Sequence, residues 1–225
     1  MNIHAISDLH LSFDSNKPMG VFGDMWEDHY KKVEKNWLEK VNPEDTVLIA
    51  GDISWGMKLD EALKDLEFIH NLPGKKVIIK GNHDYWWSSI SKLNNLYDDI
   101  FFIQNTHYVW NDYAICGTRG WIALDGEEHN ETVYKRELLR LEMSIQSAIK
   151  EGYNKLIVMM HYPPITKYTK CREFLEILEK YNVEKVIYGH IHSSAKNICF
   201  NGTYNTIEYI CTSSDIINFD PVLIK

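Results

Sequence analysis

The chain has 225 residues, of which 44% are hydrophobic and 25% charged, and its formal net charge is −8. This length predicts one large domain or two small ones, and the composition excludes collagen-like and low-complexity chains. The acidic balance, without any dense Lys/Arg block, disfavours a nucleic-acid partner. The four cysteines form no CxxC pair, which favours reduced thiols and a cytoplasmic location. No apolar run is long enough to predict a transmembrane helix, so we expect no membrane partner.

Strands and helices alternate along most of the chain. In order, the patterns predict a strand at 2–7, a helix at 26–41, a strand at 46–50, a helix at 59–69, strands at 76–80, 100–103 and 113–116, a helix at 134–148, a strand at 155–160, a helix at 174–181 and a strand at 185–188. Several of these strands are almost continuously apolar, which is typical of strands buried on both faces. The alternation predicts an α/β fold.

The C-terminal stretch has a different pattern. Residues 195–219 alternate between polar and apolar side chains and contain Asn201-Gly202, a typical hairpin turn. We therefore expect two or three antiparallel strands that close the edge of a sheet. Because the sequence shows neither an internal repeat nor a linker, we predict a single domain over residues 1–225.

Five short motifs directly follow predicted strands. They are Asp8-Leu9-His10, Gly51-Asp52, Gly81-Asn82-His83-Asp84, His161 and Gly189-His190-Ile191-His192. Ligands bind beyond the carboxyl ends of the strands in open α/β sheets, so we expect these side chains to meet there. Each motif alone is weak, but the complete ordered set is not expected by chance.

The residue types in these motifs indicate a metal centre. Imidazoles, carboxylates and an amide oxygen, without a thiolate, suit Mn²⁺, Fe or Zn²⁺. They are too numerous for one ion, whereas two ions that share a carboxylate accommodate them. Two ions about 3.5–4 Å apart clamp the attacking and leaving oxygens of a phosphoryl group and lower the pKa of a bridging water. The pattern therefore predicts in-line hydrolysis of a phosphate ester by a metal-bridging hydroxide.

The order of the motifs resembles that of the calcineurin-like metallophosphoesterase superfamily, from Asp8 to His192. The resemblance implies a four-layer α/β/β/α sandwich with two mixed sheets and a binuclear metal centre. It implies Asp8, His10, Asp52 and His192 as ligands of the first ion, and Asp52 (bridging), Asn82, His161 and His190 as ligands of the second. It further implies that His83 protonates the leaving oxygen or steadies the transition state, and that the Asp84 carboxylate orients the His83 ring.

The sequence departs from the protein phosphatases of that superfamily, which carry GDxVDRG and GNHE. Here residues 51–56 read GDISWG, and the third motif ends in Asp84. The missing arginine is a phosphate contact in that subgroup, so we expect a small phosphate monoester or diester as substrate. Mn²⁺ is the expected metal for both sites, with Fe or Zn²⁺ as alternatives. A catalytically weak interaction scaffold of the same fold is the alternative function.

Other residues leave two interpretations open. Arg119 follows a strand and either grips phosphate oxygens or forms an ion pair with a nearby acid. Four tryptophans near the motifs either line a pocket for a base or an aromatic leaving group, or pack in the core: Trp55, Trp86, Trp87 and Trp121. The helix near 131–151 is either a lid or a core-packing element. The remaining histidines are interpreted as structural: His4, His29, His70, His107 and His129. For His129 a role in the site also stays open, because the acidic loop at 125–131 could approach it.

Overall fold

The computed structural model of the protein describes residues 1–121 and 130–225. The strands are β1 (Ile3–Ile6), β2 (Thr46–Ile49), β3 (Lys75–Ile78), β4 (Ile100–Phe102), β5 (His107–Trp110), β6 (Tyr113–Thr118), β7 (Lys155–Met160), β8 (Lys185–Tyr188), β9 (Gly202–Tyr204), β10 (Ile207–Cys211) and β11 (Val222–Leu223). The helices are α1 (His29–Lys40), α2 (Leu59–His70), α3 (Ile90–Leu93), α4 (Glu131–Lys150) and α5 (Arg172–Lys180). Short 3₁₀ turns span Met19–Phe22, Asp24–Trp26 and Ser193–Ile198.

The strands form two mixed sheets. The first has the order β11-β1-β2-β3-β4, in which β1 to β4 are parallel and β11 is antiparallel. The second has the order β5-β6-β7-β8-β10-β9, in which the four inner strands are parallel and both edge strands antiparallel. A parallel bridge between Ser7, after β1, and Ser213, after β10, joins the carboxyl ends of the two sheets. Loops from both sheets therefore meet at one edge of the molecule.

Period-two alternation along the strands builds the layers. In β7, Ile157 and Met159 face the other sheet, whereas Leu156, Val158 and Met160 face the helices. The helices α1 and α2 cover the outer face of the first sheet, and α4 and α5 cover the outer face of the second. The predicted α/β/β/α sandwich is therefore confirmed, with one apolar core between the sheets and one under each helical layer.

The C-terminal hairpin forms at a different turn from the predicted one. Its turn is Asn205-Thr206, where both residues have positive φ (46° and 69°), and Gly202 instead begins β9. The strand β10 also runs parallel to β8, so only β9 and β11 are antiparallel in this part of the chain. β-Branched residues such as Thr206 rarely adopt a left-handed backbone conformation. The sequence pattern therefore predicted the turn at Asn201-Gly202 and not at Asn205-Thr206.

Two further differences concern helices. The predicted helix at 26–41 begins at His29, because Trp26 lies in a 3₁₀ turn that precedes it. The helix α4 buries Leu141, Ile145 and Ala148 fully against the second sheet, so it is a core-packing element and not a lid. The loop at 125–131 lies, up to His129, outside the described residues. No helix in the described parts of the chain combines the length and apolar character needed to cross a membrane.

Candidate metal centre

All seven residues predicted as metal ligands lie in loops at the shared strand-end edge. They follow β1 (Asp8, His10), β2 (Asp52), β3 (Asn82), β7 (His161) and β8 (His190, His192). Four of them have left-handed backbones, with φ of 58° for Asp8, 45° for His10, 53° for Asp52 and 72° for His190. Such conformations are rare for residues with side chains and cluster at functional sites.

The first group of potential ligands is Asp8, His10 and His192. His192 Nε2 lies 3.2 Å from Asp8 Oδ1 and 3.3 Å from His10 Nε2. These separations fit donor atoms that surround one cation at about 2.1 Å each. Asp52 Oδ2 lies 3.9 Å from His10 Nε2, within reach of the same position.

The second group is Asp8, Asp52 and His161, to which two further side chains connect. His161 Nε2 lies 3.3 Å from Asp52 Oδ2 and 2.6 Å from Asn82 Oδ1. His190 Nδ1 lies 3.0 Å from the same Asn82 oxygen. The family resemblance gave the bridging role to Asp52, and the structure places both Asp52 and Asp8 between the two groups.

Hydrogen bonds fix two of the imidazoles with Nε2 directed into the site. His161 Nδ1 lies 2.9 Å from the Ala50 carbonyl oxygen, to which it donates. His192 Nδ1 lies 2.8 Å from Asp215 Oδ1, and the other Asp215 oxygen accepts from the Ser193 amide at 2.7 Å. Partners of this kind orient metal-binding histidines. Sequence reasoning missed Asp215, although it lies just beyond β10 at the same edge as the motifs.

The charges of the site suit divalent cations. Asp8 and Asp52 are almost completely buried, and no Lys or Arg side chain of the described residues forms an ion pair with either. Burial alone would raise the pKa of Asp8, but His192 and His161 hold it well below its usual range. Burial likewise opposes ionisation of Asp52, and His161 and His10 lower its pKa. Two buried carboxylates balanced only by imidazoles are a fitting ligand set for cations.

The imidazoles respond to the same charges. Burial lowers the pKa of His161, but the Asp52 carboxylate outweighs burial and raises it to about 9. Burial also lowers the pKa of His192, and the Asp8 carboxylate outweighs it and raises the pKa to about 10. In His10, by contrast, burial prevails and lowers the pKa to about 3. Without cations, protons on His161 and His192 therefore balance the carboxylates, and a bound cation would have to displace them.

The glycines of two motifs allow the loops to pack against the carboxylates. A Cβ on Gly81 would collide with the carboxylate and amide of Asp52. A Cβ on Gly189 would collide with the Asp8 carboxylate and the Ser7 side chain. Only glycine fits at these two positions, which explains its place immediately before Asn82 and His190 in the motifs.

His83 lies beside the first group, whereas Asp84 does not orient it. The His83 ring centroid is 5.7 Å from that of His10, and burial lowers the pKa of His83. The predicted contact between Asp84 and the His83 ring is wrong, because His83 Nδ1 has no hydrogen-bond partner among the described residues. The Asp84 carboxylate instead accepts from backbone amides of Asp52 (2.9 Å) and Gly81 (2.7 Å). It therefore joins two of the site loops.

Of the two roles predicted for Arg119, a phosphate contact or an ion pair with a nearby acid, the structure shows the ion pair. Its guanidinium Nη2 lies 3.7 Å from Glu137 Oε1, and its Cζ lies 4.9 Å from the centroid of the Trp121 ring. Glu137 is fully buried and also pairs with Arg136 and Arg140, so it would keep cationic partners without Arg119. A contact of Arg119 with phosphate stays a prediction.

The tryptophans divide between the two interpretations. Trp55 lines a cavity beside His10 and His83. Trp86 is 2% exposed and packs in the core under the first helical layer, where Trp87 also packs. Trp121 lies against Tyr162. The other described histidines contact groups outside the two ligand groups: His4 (Asp45), His29 (Leu9 and Trp26 carbonyls), His70 (Asp99) and His107 (Ser147).

Two mixed sheets between helical layers, with a carboxylate–histidine cluster at their joined edge, define a metallophosphoesterase-type fold. The sequence model described as calcineurin-like phosphoesterase matches residues 1–194, so the chain belongs to this family. Among curated relatives, the Gene 66 protein of Mycobacterium phage D29 is 26% identical over 166 residues, which cover 74% of this chain and 67% of that protein. The Gene 66 protein of Mycobacterium phage L5 is 37% identical over 78 residues, which cover 35% of this chain and 37% of that protein.

Solved structures with the same fold cover nearly the whole chain. The phosphopantetheinyl hydrolase PptH from Mycobacterium tuberculosis has a TM-score of 0.58 at 16% identity, covering 94% of this chain and 88% of that chain. Protein TT1561 of Thermus thermophilus has a TM-score of 0.58 at 14% identity, covering 99% and 97%. Protein AQ665 from Aquifex aeolicus has a TM-score of 0.55 at 19% identity, covering 99% and 95%. At these identities the likeness supports the fold.

Proposed function

We propose that the protein hydrolyses a small phosphate monoester or diester with the help of two divalent cations, Mn²⁺ being the first choice. The observation that carries the proposal is the convergence of five loops. Four of them supply two ligand groups that share Asp8, with the ligand atoms of each group within 4.8 Å of one another, and Asn82 of the fifth lies 2.6 Å from His161. When bound, the cations would supply the Lewis acidity that activates water and balances charge on the phosphoryl oxygens.

The chain's own residues supply position and orientation. Asp8, His10 and His192, with Asp52, would hold one cation, and Asp52, Asn82, His161 and His190 the other. The contacts of His161 with Ala50 and of His192 with Asp215 keep both Nε2 atoms directed inward. His83 is half-buried beside the first group and outside both, where its ring can donate a proton to the leaving oxygen.

The test is a panel of phosphate monoesters and diesters, run on protein reconstituted with Mn²⁺, Zn²⁺ or Fe²⁺. Asp52→Asn should reduce metal occupancy and activity together, because it removes charge from between the two groups. His83→Ala should keep metal occupancy and lower kcat by about 100-fold, the usual contribution of a positioned proton donor. Metal analysis of each purified variant separates the two effects.

Two results would contradict the proposal. Equal loss of metal in Asp52→Asn and His83→Ala would remove the distinction between ligand and proton donor. Metal-loaded protein without turnover on the whole panel would favour the interaction scaffold instead.

A further inference from the structure

An open cavity of about 200 Å³ lies directly beside the first ligand group. Three imidazoles line it, those of His10, His83 and His192. Its apolar wall consists of Met19, Phe22, Trp26 and Trp55, and Ser193 also lines it. The cavity is therefore a direct continuation of the candidate metal centre toward the segment at 19–26.

The apolar wall is tied closely to the histidines. The Trp55 ring stacks on His10 with centroids 4.9 Å apart and planes at 22°, and its centroid lies 4.5 Å from that of His83. The Trp26 ring meets His192 edge-on at 5.8 Å. Any group that extends from the site past His83 into this cavity would contact these indoles.

The indole N–H of Trp55, a polar group of the apolar wall, already has a hydrogen-bond partner. Trp55 Nε1 donates to Met19 Sδ at 3.1 Å, so it is not directed at a ligand. Met19 and Trp26 are buried at 6% and 2% exposure, whereas Phe22, which also lines the cavity, is 62% exposed. Phe22 thus presents apolar surface that no described residue covers.

The cavity offers few partners to a polar ligand. Among the described residues, its lining includes no acid and no amide side chain, and its polar groups are the three imidazoles and the Ser193 hydroxyl. A sugar or polyol placed there would replace only part of the hydrogen bonds that its hydroxyls make to water. Lys17 Nζ lies 4.6 Å from the Trp55 ring centroid, and this exposed side chain is the one cation in contact with the wall among the described residues.

We propose that this cavity binds the alcohol portion of the substrate and selects phosphate esters of bulky apolar or aromatic alcohols over esters of sugars and polyols. The inference rests on the proposed function, in which His83 faces the leaving oxygen. The carbon attached to that oxygen then extends past His83, whose ring lies beside Trp55, into the cavity that Met19, Phe22 and Trp26 also line. In this arrangement the alcohol portion of the substrate contacts the apolar side chains, whereas the phosphate does not, so these contacts distinguish one alcohol from another.

The test compares benzyl phosphate with glycerol 3-phosphate, whose alcohols have comparable acidity, on Mn²⁺-reconstituted protein. We expect kcat/KM to favour benzyl phosphate by about tenfold or more, because the ring is buried against apolar surface. Phe22→Ala and Trp55→Ala should each reduce this preference several-fold. Phe22 is exposed, so its variant carries little risk of misfolding. Leu38→Ala, at a 59%-exposed position on α1, is the matched control and should leave the preference unchanged.

A second measurement needs neither metal nor turnover. Binding of 2-naphthol to metal-free protein should quench tryptophan fluorescence, and Phe22→Ala should weaken this binding. A benzyl preference that is absent, or that persists unchanged in both cavity variants, would overturn the selectivity. Naphthol binding that Phe22→Ala weakens, without hydrolysis of any ester, would support the apolar site while refuting the phosphoesterase proposal. Equal naphthol binding by wild type and Phe22→Ala would refute the site itself.

Discussion

Replacement of Asp84 by asparagine tests how the loops of the metal centre are held together. The Asp84 carboxylate is fully buried and accepts five hydrogen bonds from N–H donors: Gly81 (2.7 Å), Asp52 (2.9 Å), Ile53 (2.9 Å), Ser54 (3.4 Å) and the Trp86 indole (3.0 Å). The first two bind one carboxylate oxygen and the other three bind the second. Asparagine has nearly the same shape but can offer only one oxygen.

The magnitude follows from this arrangement. Whichever way the amide of Asp84→Asn is turned, its NH₂ group faces at least two buried N–H donors that have lost their acceptor. Each unpaired buried donor costs about 1–3 kcal/mol. Burial and the charge of Asp52 raise the pKa of Asp84 to about 6, so a neutral side chain relieves part of that cost. We therefore expect the free energy of unfolding to fall by about 3 kcal/mol.

The assay is urea unfolding of metal-free protein, followed by Mn²⁺ titration by calorimetry. We expect the affinity for Mn²⁺ to fall by about tenfold, because the displaced amides belong to Gly81 and to the candidate ligand Asp52. The control is Asp112→Asn, at an exposed carboxylate paired with Lys155, which should change stability by less than about 0.5 kcal/mol. A loss of stability below about 1 kcal/mol with unchanged Mn²⁺ affinity would refute the view that Asp84 joins the two loops.

Three further changes test other parts of the structure. Gly189→Ala places a methyl group against the Asp8 carboxylate, so calorimetry should show Mn²⁺ affinity reduced by about tenfold or more. Burial raises the pKa of Asp65 from 3.8 to about 6, so the folded protein retains this proton to a higher pH than the unfolded chain. Its contribution to stability therefore falls as pH rises from about 4 to above 6, by up to about 3 kcal/mol, and Asp65→Asn should remove that fall in urea unfolding with EDTA. Arg119→Ala should raise KM for phosphate esters several-fold if its guanidinium reaches phosphate.

Each of these changes has its own control or contradicting result. Gly20→Ala, where an added Cβ meets nothing within 4 Å, should leave Mn²⁺ affinity unchanged, and a loss equal to that of Gly189→Ala would discount the collision. A stability difference between wild type and Asp65→Asn that is the same at pH 4.5 and pH 8 would contradict the raised pKa. Unchanged KM and kcat in Arg119→Ala would leave this side chain only as a partner of Glu137.

The convergence of the candidate ligand loops at one edge could be predicted from the sequence, because two simple rules determine it. Parallel strands end at the same edge of a sheet, and Asp8, Asp52, Asn82 and His161 each follow such a strand. Once the carboxyl ends of the two sheets are joined at Ser7 and Ser213, these side chains have to meet. The layers were equally predictable, because period-two alternation gives each strand one face toward the other sheet and one toward the helices.

Other features could not be predicted from the sequence, because they depend on contacts that no local sequence pattern indicates. Asp215 acts through His192, and its surrounding residues, Ser213-Ser214-Asp215, carry neither the glycine nor the histidine of the other motifs. The partners of Asp84 are mainly backbone amides, which every residue has, so its sequence position could not distinguish them from the His83 ring. The edge strands β5 and β11 are short and owe their structure to pairing with β6 and β1.

The local backbone and the buried charges of the site both oppose folding of the metal-free chain. A left-handed conformation at a residue with a side chain costs about 1–3 kcal/mol, and Asp8, His10, Asp52 and His190 all adopt it. The same loops bury two carboxylates whose described counter-charges are protonated imidazoles, which titrate away as pH rises. Cations bound at the cluster, as proposed above, would offset both costs, because their binding energy would stabilise the folded chain over the unfolded one.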